Sequence, residues 1–139
     1  MPSTDALLTP RDLGRWGLRL GVARGRPVVE DDELEAARAL RLVLHRVFSA
    51  IAEGRRPRRA DLEALARDHA SAAGAARLAP ADDGAWRLTW PAAEPRAVRF
   101  AVAVDAMALL ADPVRLARVH RCPEPACSWL FLDTSGRRR

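Results

Sequence analysis

Residues 31–54 read DDELEAARALRLVLHRVFSAIAEG, and their apolar positions recur at intervals of three, four and seven. This spacing places the apolar side chains on one face of an α-helix, and the three acidic residues at its start suit the positive end of the helix dipole. Gly54 is a natural helix stop and is followed by Pro57. We therefore expect a long amphipathic helix here. Its apolar positions are Leu34, Ala37, Leu40, Leu44, Val47, Phe48 and Ile51.

Other segments of the chain also show helical spacing. Residues 9–20 combine a capping signal with helical periodicity, which predicts a first helix before the long one. Residues 62–69 mark a third helix, and the same period returns in residues 98–109. Asp112 and Pro113 form an N-terminal helix signal for a short final helix.

One region changes from helical to alternating periodicity. Trp86, Leu88 and Trp90 alternate with polar residues, and the turn-forming residues 82–84 precede them. The pattern predicts a hairpin ending in a half-buried strand, with Leu78 on the weaker partner strand. We expect Trp86 and Trp90 to pack in the core. The fold class is therefore mainly α (α+β), a helical domain with a small β-hairpin.

The composition limits the classes of function. A chain of 139 residues with 49% hydrophobic residues forms an ordinary globular domain. No apolar run approaches the length of a membrane span and residues 1–10 lack leader features, so we expect a cytoplasmic protein without a membrane partner. All 23 basic residues are Arg, and the net charge of +5 permits a polyanionic partner without requiring one.

The two cysteines of the chain lie close together near its C-terminus. Four residues lie between Cys122 and Cys127 in a turn with two prolines, and an apolar, strand-like run follows at residues 128–133. This arrangement supplies half of a zinc-ribbon-like site, because structural zinc takes four ligands. Inert thiols, a disulfide and a redox pair are alternatives that the spacing leaves open. His120 is a candidate third ligand, or a surface imidazole at a helix end.

The residues around these cysteines resemble a known family. Arg121-Cys122, the gap to Cys127, and residues 129–133 with Ser135 are similar to the first half of the CGNR zinc finger. In that family the finger closes a helical domain called ABATE, found in bacterial candidate stress-induced transcription regulators. The layout before the cysteines is also similar. The resemblance implies an ABATE-like helical domain at residues 1–119 and the N-terminal half of a CGNR-type zinc finger at residues 120–139.

The resemblance also implies site residues and partners. Cys122 and Cys127 would bind zinc, and Arg137, Arg138 and Arg139 would contact DNA. The chain departs from the family pattern because it stops before the Trp-Cys segment and the Cys-Gly-Asn-Arg signature, and because no apolar strand with an Asn-Thr pair precedes its start. We therefore expect shortening at both ends, an incomplete zinc site and weak DNA binding.

Two functions follow from this interpretation. The first is a transcription regulator that binds DNA through its C-terminal zinc-finger element. The alternative is a protein-interaction or dimerisation module, in which the cysteine pairs of two chains complete one zinc site. We do not expect an enzyme, because the sequence lacks a Gly-rich phosphate loop, an H-E-x-x-H motif and a Ser elbow.

Four further arginines surround Pro57 between two predicted helices. Their simplest interpretation is a solvated linker. Arg58 and Arg59, however, lie near the start of the third helix, where each positive charge opposes the helix dipole by roughly 0.3 to 1 kcal/mol. A bound phosphate would relieve that conflict. The other two arginines of this linker are Arg55 and Arg56.

Two further histidines, His45 and His69, lie within predicted helices. We expect both to be packing or surface residues.

Overall fold

A computed structural model of the chain describes residues 30–124 and 130–133. Its helices and strands follow one another as α1 (Asp31–Ala52), α2 (Arg59–Ala75), β1 (Arg77–Pro80), β2 (Trp86–Thr89), α3 (Ala97–Leu110), α4 (Pro113–Leu116), β3 (Val119–Arg121) and β4 (Leu130–Leu132). The predicted mainly α fold is confirmed. The predicted first helix, Cys127, Trp129 and Arg137–Arg139 lie outside the described residues.

The long helix α1 is confirmed almost to the residue. Three acidic residues occupy its first turn, where they complement the helix dipole. At its end Gly54 has a φ of +72°, its N–H donates to the carbonyl of Ile51 at 3.0 Å, and the Arg55 N–H donates to the carbonyl of Ala50 at 2.7 Å. These two bonds form a Schellman motif, in which a glycine in the left-handed conformation ends the helix. The chain therefore turns sharply into the arginine-rich segment.

The main core lies between α1, α2 and α3. Val47, Leu65 and Phe100 are its largest fully buried side chains. The short helix α4 begins as predicted at Asp112, whose carboxylate accepts hydrogen bonds from the backbone N–H groups of Val114 and Arg115. In the described part of the chain, the packing of α1, α2 and α3 against one another buries most of the core side chains.

Helix α2 forms where the sequence predicts it. However, the residues that it buries are not all the apolar residues from which the helix was predicted. Leu65 is buried, whereas Leu62 and Ala66 are exposed. Asp61 and Ala72 take the remaining inward positions. The difference arises because the carboxylate of Asp61 pairs with an arginine of α1, so a charged residue lies on the packed face of the helix.

The predicted hairpin is confirmed, with Leu78 opposite Leu88 in the antiparallel β1–β2 pair. The expected core position of Trp86 is wrong, because its side chain is 66% exposed. An alternating strand buries one face only where another layer covers it, and within the described residues these two strands contact mainly each other. Trp90 is partly buried, and its indole N–H donates to the carbonyl of Ala72 at 2.9 Å while its ring packs beside Phe100.

The described structure ends with a second hairpin, of which the sequence predicted only the second strand. The apolar run after the cysteines forms β4 as predicted, and β3 pairs with it antiparallel, with Val119 opposite Leu132. His120 therefore lies on a strand and not at a helix end. Val119 is buried in the same cluster as Val47, and Leu132 packs against that cluster. The second hairpin thus shares the helical core. The division into segments 1–119 and 120–139 stays a prediction.

Among residues 30–124 and 130–133 there is no helix of sufficient length and apolarity to cross a membrane.

Candidate functional site

A cleft of about 290 Å³ opens where the C-terminal end of α1, the 53–58 loop, the start of α2 and strand β3 meet. Among the described residues, its lining contains five arginines and two carboxylates, an excess of three formal positive charges. The cleft is therefore a basic concavity at the junction of four segments. The arginines are Arg46, Arg55, Arg56, Arg58 and Arg121, and the carboxylates are Glu53 and Asp61.

The start of α2 brings an unusual residue to this cleft. Helices usually begin at Ser, Thr, Asp or Asn, whose side chain accepts a hydrogen bond from a first-turn N–H. Here Arg58 occupies the N-cap position in an extended conformation and provides no side-chain cap. Its carbonyl accepts the backbone N–H groups of Asp61 and Leu62 at 3.1 and 3.2 Å. A cation therefore stands at the positive end of the helix dipole, as the sequence predicted.

One wall of the cleft is an ion pair between α1 and α2. The Nε of Arg46 donates to both carboxylate oxygens of Asp61 at 3.1 Å, and its terminal nitrogen donates to one of them at 2.9 Å. The Asp61 side chain is 7% exposed. Its hydrogen bonds from Arg46, with a smaller contribution from the charge of Arg58, hold the pKa of Asp61 below its ordinary value. This pair fixes the relative position of the two helices beside the cleft.

A second carboxylate connects the cleft to the cysteine-containing segment. Glu53 accepts a hydrogen bond from the Nε of Arg55 at 2.8 Å and also pairs with the guanidinium of Arg121. The bonds from Arg55 and Arg121 lower the pKa of Glu53. Since Arg121 ends β3 and directly precedes Cys122, Glu53 joins the loop after α1 to the start of the cysteine turn.

The remaining arginines of the linker fall into two groups. Arg59 pairs with Glu63 one helical turn along, at 2.7 Å, and points into that pair instead of lining the cleft. Arg56 and Arg58 do line the cleft, and both are exposed. Neither guanidinium forms a hydrogen bond or an ion pair with any residue of the described ranges. Within the described ranges, the guanidinium groups of Arg56 and Arg58 are therefore available to an anion in the cleft, and the charge of Arg58 also acts on Asp61.

The cleft also contains a residue that sequence reasoning missed. Ser49 lies on α1, lines the cleft and is only 8% exposed. Its hydroxyl oxygen is enclosed and has no hydrogen-bond partner among the described residues. A buried hydroxyl without a partner costs about 1 to 3 kcal/mol. The one available signal was a serine among the apolar positions of an amphipathic helix, which hydropathy alone does not distinguish from a tolerated small residue.

The predicted metal ligands are only partly described. Cys122 follows β3 and is partly buried, His120 lies on β3, and Cys127 lies outside the described residues. Within the ranges that the structure covers, no group of three or more His, Cys, Asp or Glu side chains is placed to hold a metal ion. Both cysteines belong to the segment that connects the paired strands β3 and β4. The zinc site therefore stays a prediction, with a hairpin connection as its setting.

A separate charge cluster joins the three long helices far from the cleft. Arg99 of α3 donates to Glu33 of α1 and to Asp68 of α2, at 2.6 Å each, and its side chain is 12% exposed. Burial raises the pKa of Glu33, although Arg99 opposes that shift. Glu33 lies in the first turn of α1, roughly 24 Å along the helix from Ser49. This cluster holds the helices together and does not contribute to the cleft.

The architecture is that of a mainly helical domain with a basic cleft beside a cysteine-containing hairpin. The sequence model of the ABATE family, described as "putative stress-induced transcription regulator", matches residues 2–113. The chain therefore belongs to the ABATE family. The match includes α1, α2 and α3 and ends before Cys122. It therefore covers the ABATE-like helical segment and not the segment that resembles a zinc finger. No curated protein matches the chain.

Proposed function

We propose that the chain regulates transcription in the cytoplasm by contacting DNA through its C-terminal segment, and that it has no catalytic activity of its own. Cys122 and Cys127 would hold zinc, and Arg137–Arg139 would contact phosphates. The observation that carries the proposal is the packing of β3 and β4 against α1, with Val119 in the shared core. A signal received by the helical domain would reach the cysteine segment through this packing. Family membership and the basic net charge support it.

The residues present fit half of a zinc site. Bound zinc would supply a rigid cross-link between thiolates, which small domains use in place of a larger core. Cys122 and Cys127 lie in the connection between two paired strands, a setting from which two thiolates can face one ion. Two further ligands are needed for the closed tetrahedral site of structural zinc.

A dimer with a shared zinc ion is a second candidate. The sequence has two cysteines, and the described residues offer no group of three metal-binding side chains, so a second copy of the chain is a direct source of two more thiolates. A two-fold axis beside the cysteine turn would bring four sulfur atoms together. In this arrangement zinc would hold two chains in one regulatory unit.

Native mass spectrometry of the protein, purified with zinc and without a metal-affinity tag, tests the metal proposals. One zinc per dimer supports the shared site, and one zinc per monomer supports a site completed within the chain. Cys122→Ser/Cys127→Ser should lose the metal in either case, whereas His120→Ala should lose it only if the imidazole is a ligand. Absence of zinc from the wild-type protein would exclude both arrangements for this chain.

Fluorescence anisotropy with a labelled DNA duplex tests the DNA proposal. Contacts to phosphates predict binding that weakens steeply with salt, with a logarithmic slope of about 0.9 per phosphate contacted. Substitution of Arg137–Arg139 by Ala should lower that slope. The matched control removes Arg67, Arg77 and Arg115, three exposed arginines outside the cleft, and should leave the slope nearly unchanged. A duplex that does not bind even at low salt would contradict the proposal.

A further inference from the structure

We propose that the basic cleft binds a small molecule through a terminal phosphate group, that is, a phosphate monoester. The cleft lies between the end of α1, the start of α2 and β3, within the region that the structure describes. The proposal concerns the helical domain and its junction with β3. It depends neither on DNA binding nor on zinc.

The charge of the cleft favours an anion. The described part of its lining has an excess of three formal positive charges, and Arg56 and Arg58 have no ion pair within that part. Arg58 also stands at the start of the 17-residue helix α2, where the helix dipole favours an anion. A phosphate monoester carries about −1.5 to −2 charges at neutral pH and three acceptor oxygens. It therefore complements two unpaired guanidinium groups and a helix N-terminus together.

The buried hydroxyl of Ser49 also favours a hydrogen-bond acceptor in the cleft. This group lines the cleft, is enclosed and lacks a hydrogen-bond partner within the described ranges, whereas nearly all buried polar groups in proteins have one. Rotation of the Ser49 side chain about χ1 would turn its hydroxyl into the cleft, where a phosphate oxygen would accept its hydrogen bond. This observation is independent of the charge of the cleft, because a cluster of arginines on a surface does not require a buried hydroxyl beside it. Together the two observations describe a site with cations at its rim and a neutral donor deeper inside.

The size of the cleft separates a terminal phosphate from a DNA backbone. At about 290 Å³ it lies near the lower end of the range for small-molecule pockets, about 300 to 1,000 Å³. A phosphodiester in a duplex carries a sugar on each side and has two free oxygens, so it meets a surface more readily than it enters a small cleft. A monoester can enter with its phosphate foremost and approach the wall of the cleft that contains Ser49. The geometry therefore favours the monoester.

Ligand binding would also affect the cysteine segment, a consequence that rests on the proposed function. Arg121 lines the cleft, is paired with Glu53 and directly precedes Cys122. A phosphate in the cleft offers Arg121 a second anionic partner. Any change in that pairing acts directly on the end of β3. The helical domain would in this way report a phosphorylated compound to the C-terminal segment.

Isothermal titration calorimetry at constant ionic strength tests the binding site. The probes are inorganic phosphate, glycerol 3-phosphate as a monoester, dimethyl phosphate as a diester, and a DNA duplex. We expect saturable binding of glycerol 3-phosphate and no competition from dimethyl phosphate. Arg56→Ala/Arg58→Ala should weaken binding by at least about tenfold, since each loses a charge-assisted hydrogen bond. Arg67→Ala/Arg77→Ala removes the same charge elsewhere and should change the affinity by less than about twofold.

Ser49→Ala provides an independent test, with the exposed Ser71→Ala as its control. We expect Ser49→Ala to weaken glycerol 3-phosphate binding by about tenfold and to retain the wild-type circular dichroism spectrum. Equal loss of affinity in the two arginine double variants would show a nonspecific ion atmosphere and overturn the proposal. Equal affinity for dimethyl phosphate, with displacement by the duplex, would overturn it in favour of a DNA contact. Zinc content and duplex affinity, measured separately, test the proposed function.

Discussion

At the scale of single residues, Arg99 is a nearly buried charge that joins the three long helices. Its guanidinium lies between Glu33 and Asp68 and is 12% exposed. Arg99→Met should lower the free energy of unfolding by about 3 kcal/mol or more, because it leaves a buried carboxylate without its partner. Urea denaturation followed by circular dichroism measures the loss. The exposed Arg67→Met should stay within about 0.5 kcal/mol of wild type, and an equal effect of the two would contradict this role.

The buried Glu33 predicts a specific pH dependence. Burial raises its pKa in the folded state above the ordinary value, so the folded state binds this proton more tightly than the unfolded state. The stability contributed by Glu33 is therefore present at low pH and is lost as pH rises through its folded-state pKa. The free energy of unfolding of wild type minus that of Glu33→Gln should fall as pH rises above the ordinary glutamate pKa of about 4.3. A difference that grows with pH in urea titrations would refute this.

Substitution of Ser49 is expected to stabilise the protein, in contrast to substitution of Arg99. Because its enclosed hydroxyl has no hydrogen-bond partner among the described residues, Ser49→Ala should raise the free energy of unfolding by about 1 kcal/mol in phosphate-free buffer. Ser71→Ala, on the exposed face of α2, corrects for the higher helix propensity of alanine. Thermal unfolding of the two variants measures the difference. A lower melting temperature for Ser49→Ala than for Ser71→Ala would show that the hydroxyl has a stabilising partner.

Residues differ in how far the sequence predicts their roles. The position of Arg58 at a helix start could be predicted, because local capping and proline signals fix where helices begin. The inward position of Asp61 could not, since it depends on Arg46, which is fifteen residues away in sequence. Ser49 escaped prediction for a related reason. Whether a hydroxyl is satisfied depends on the neighbours that folding brings to it, and those are not local.

At the scale of elements, the sequence predicted those with a strong internal pattern. Helix α1 has 22 residues, about six turns, with a consistent periodicity, acidic residues at its start and Gly54 after its end, so its bounds follow from local signals. Strand β3 has three residues, too few for alternation to be recognised. The hairpin was predicted from alternation, yet the exposure of Trp86 was not. Alternation defines two faces of a strand but does not say which face another layer covers.

The end of α1 offers a test at this scale. Gly54 has a φ of +72°, which costs an L-residue about 1 to 2 kcal/mol, so Gly54→Ala should destabilise the protein by about 1 kcal/mol. Gly74, near the end of α2, has helical geometry with nothing within 4 Å of an added Cβ, and Gly74→Ala should stabilise by up to about 1 kcal/mol. Urea midpoints of the two variants should therefore move in opposite directions. Movement in the same direction would contradict the left-handed turn.

At the scale of the whole molecule, the helices and the second hairpin share one core. Val119 is buried with Val47 and Leu65, so Val119→Ala should lower the free energy of unfolding of the entire described domain by about 1 to 2 kcal/mol. Far-ultraviolet circular dichroism and tryptophan fluorescence should report one coincident transition. The exposed Val114→Ala serves as control. If the second hairpin, which begins at Val119, were an independent unit, Val119→Ala would leave the helical transition unchanged.

The carboxylate of Glu53 is an anionic group within the lining of the cleft. It already holds Arg55 and Arg121, so an incoming anion meets an internal competitor for the same guanidinium groups. Acetate or chloride, with a single charge, offers these arginines no more than Glu53 does. Arg56 and Arg58, which have no ion pair among the described residues, require no displacement of Glu53. Glu53 thus raises the charge that an anion needs to bind Arg121, but not the charge that it needs to bind Arg58.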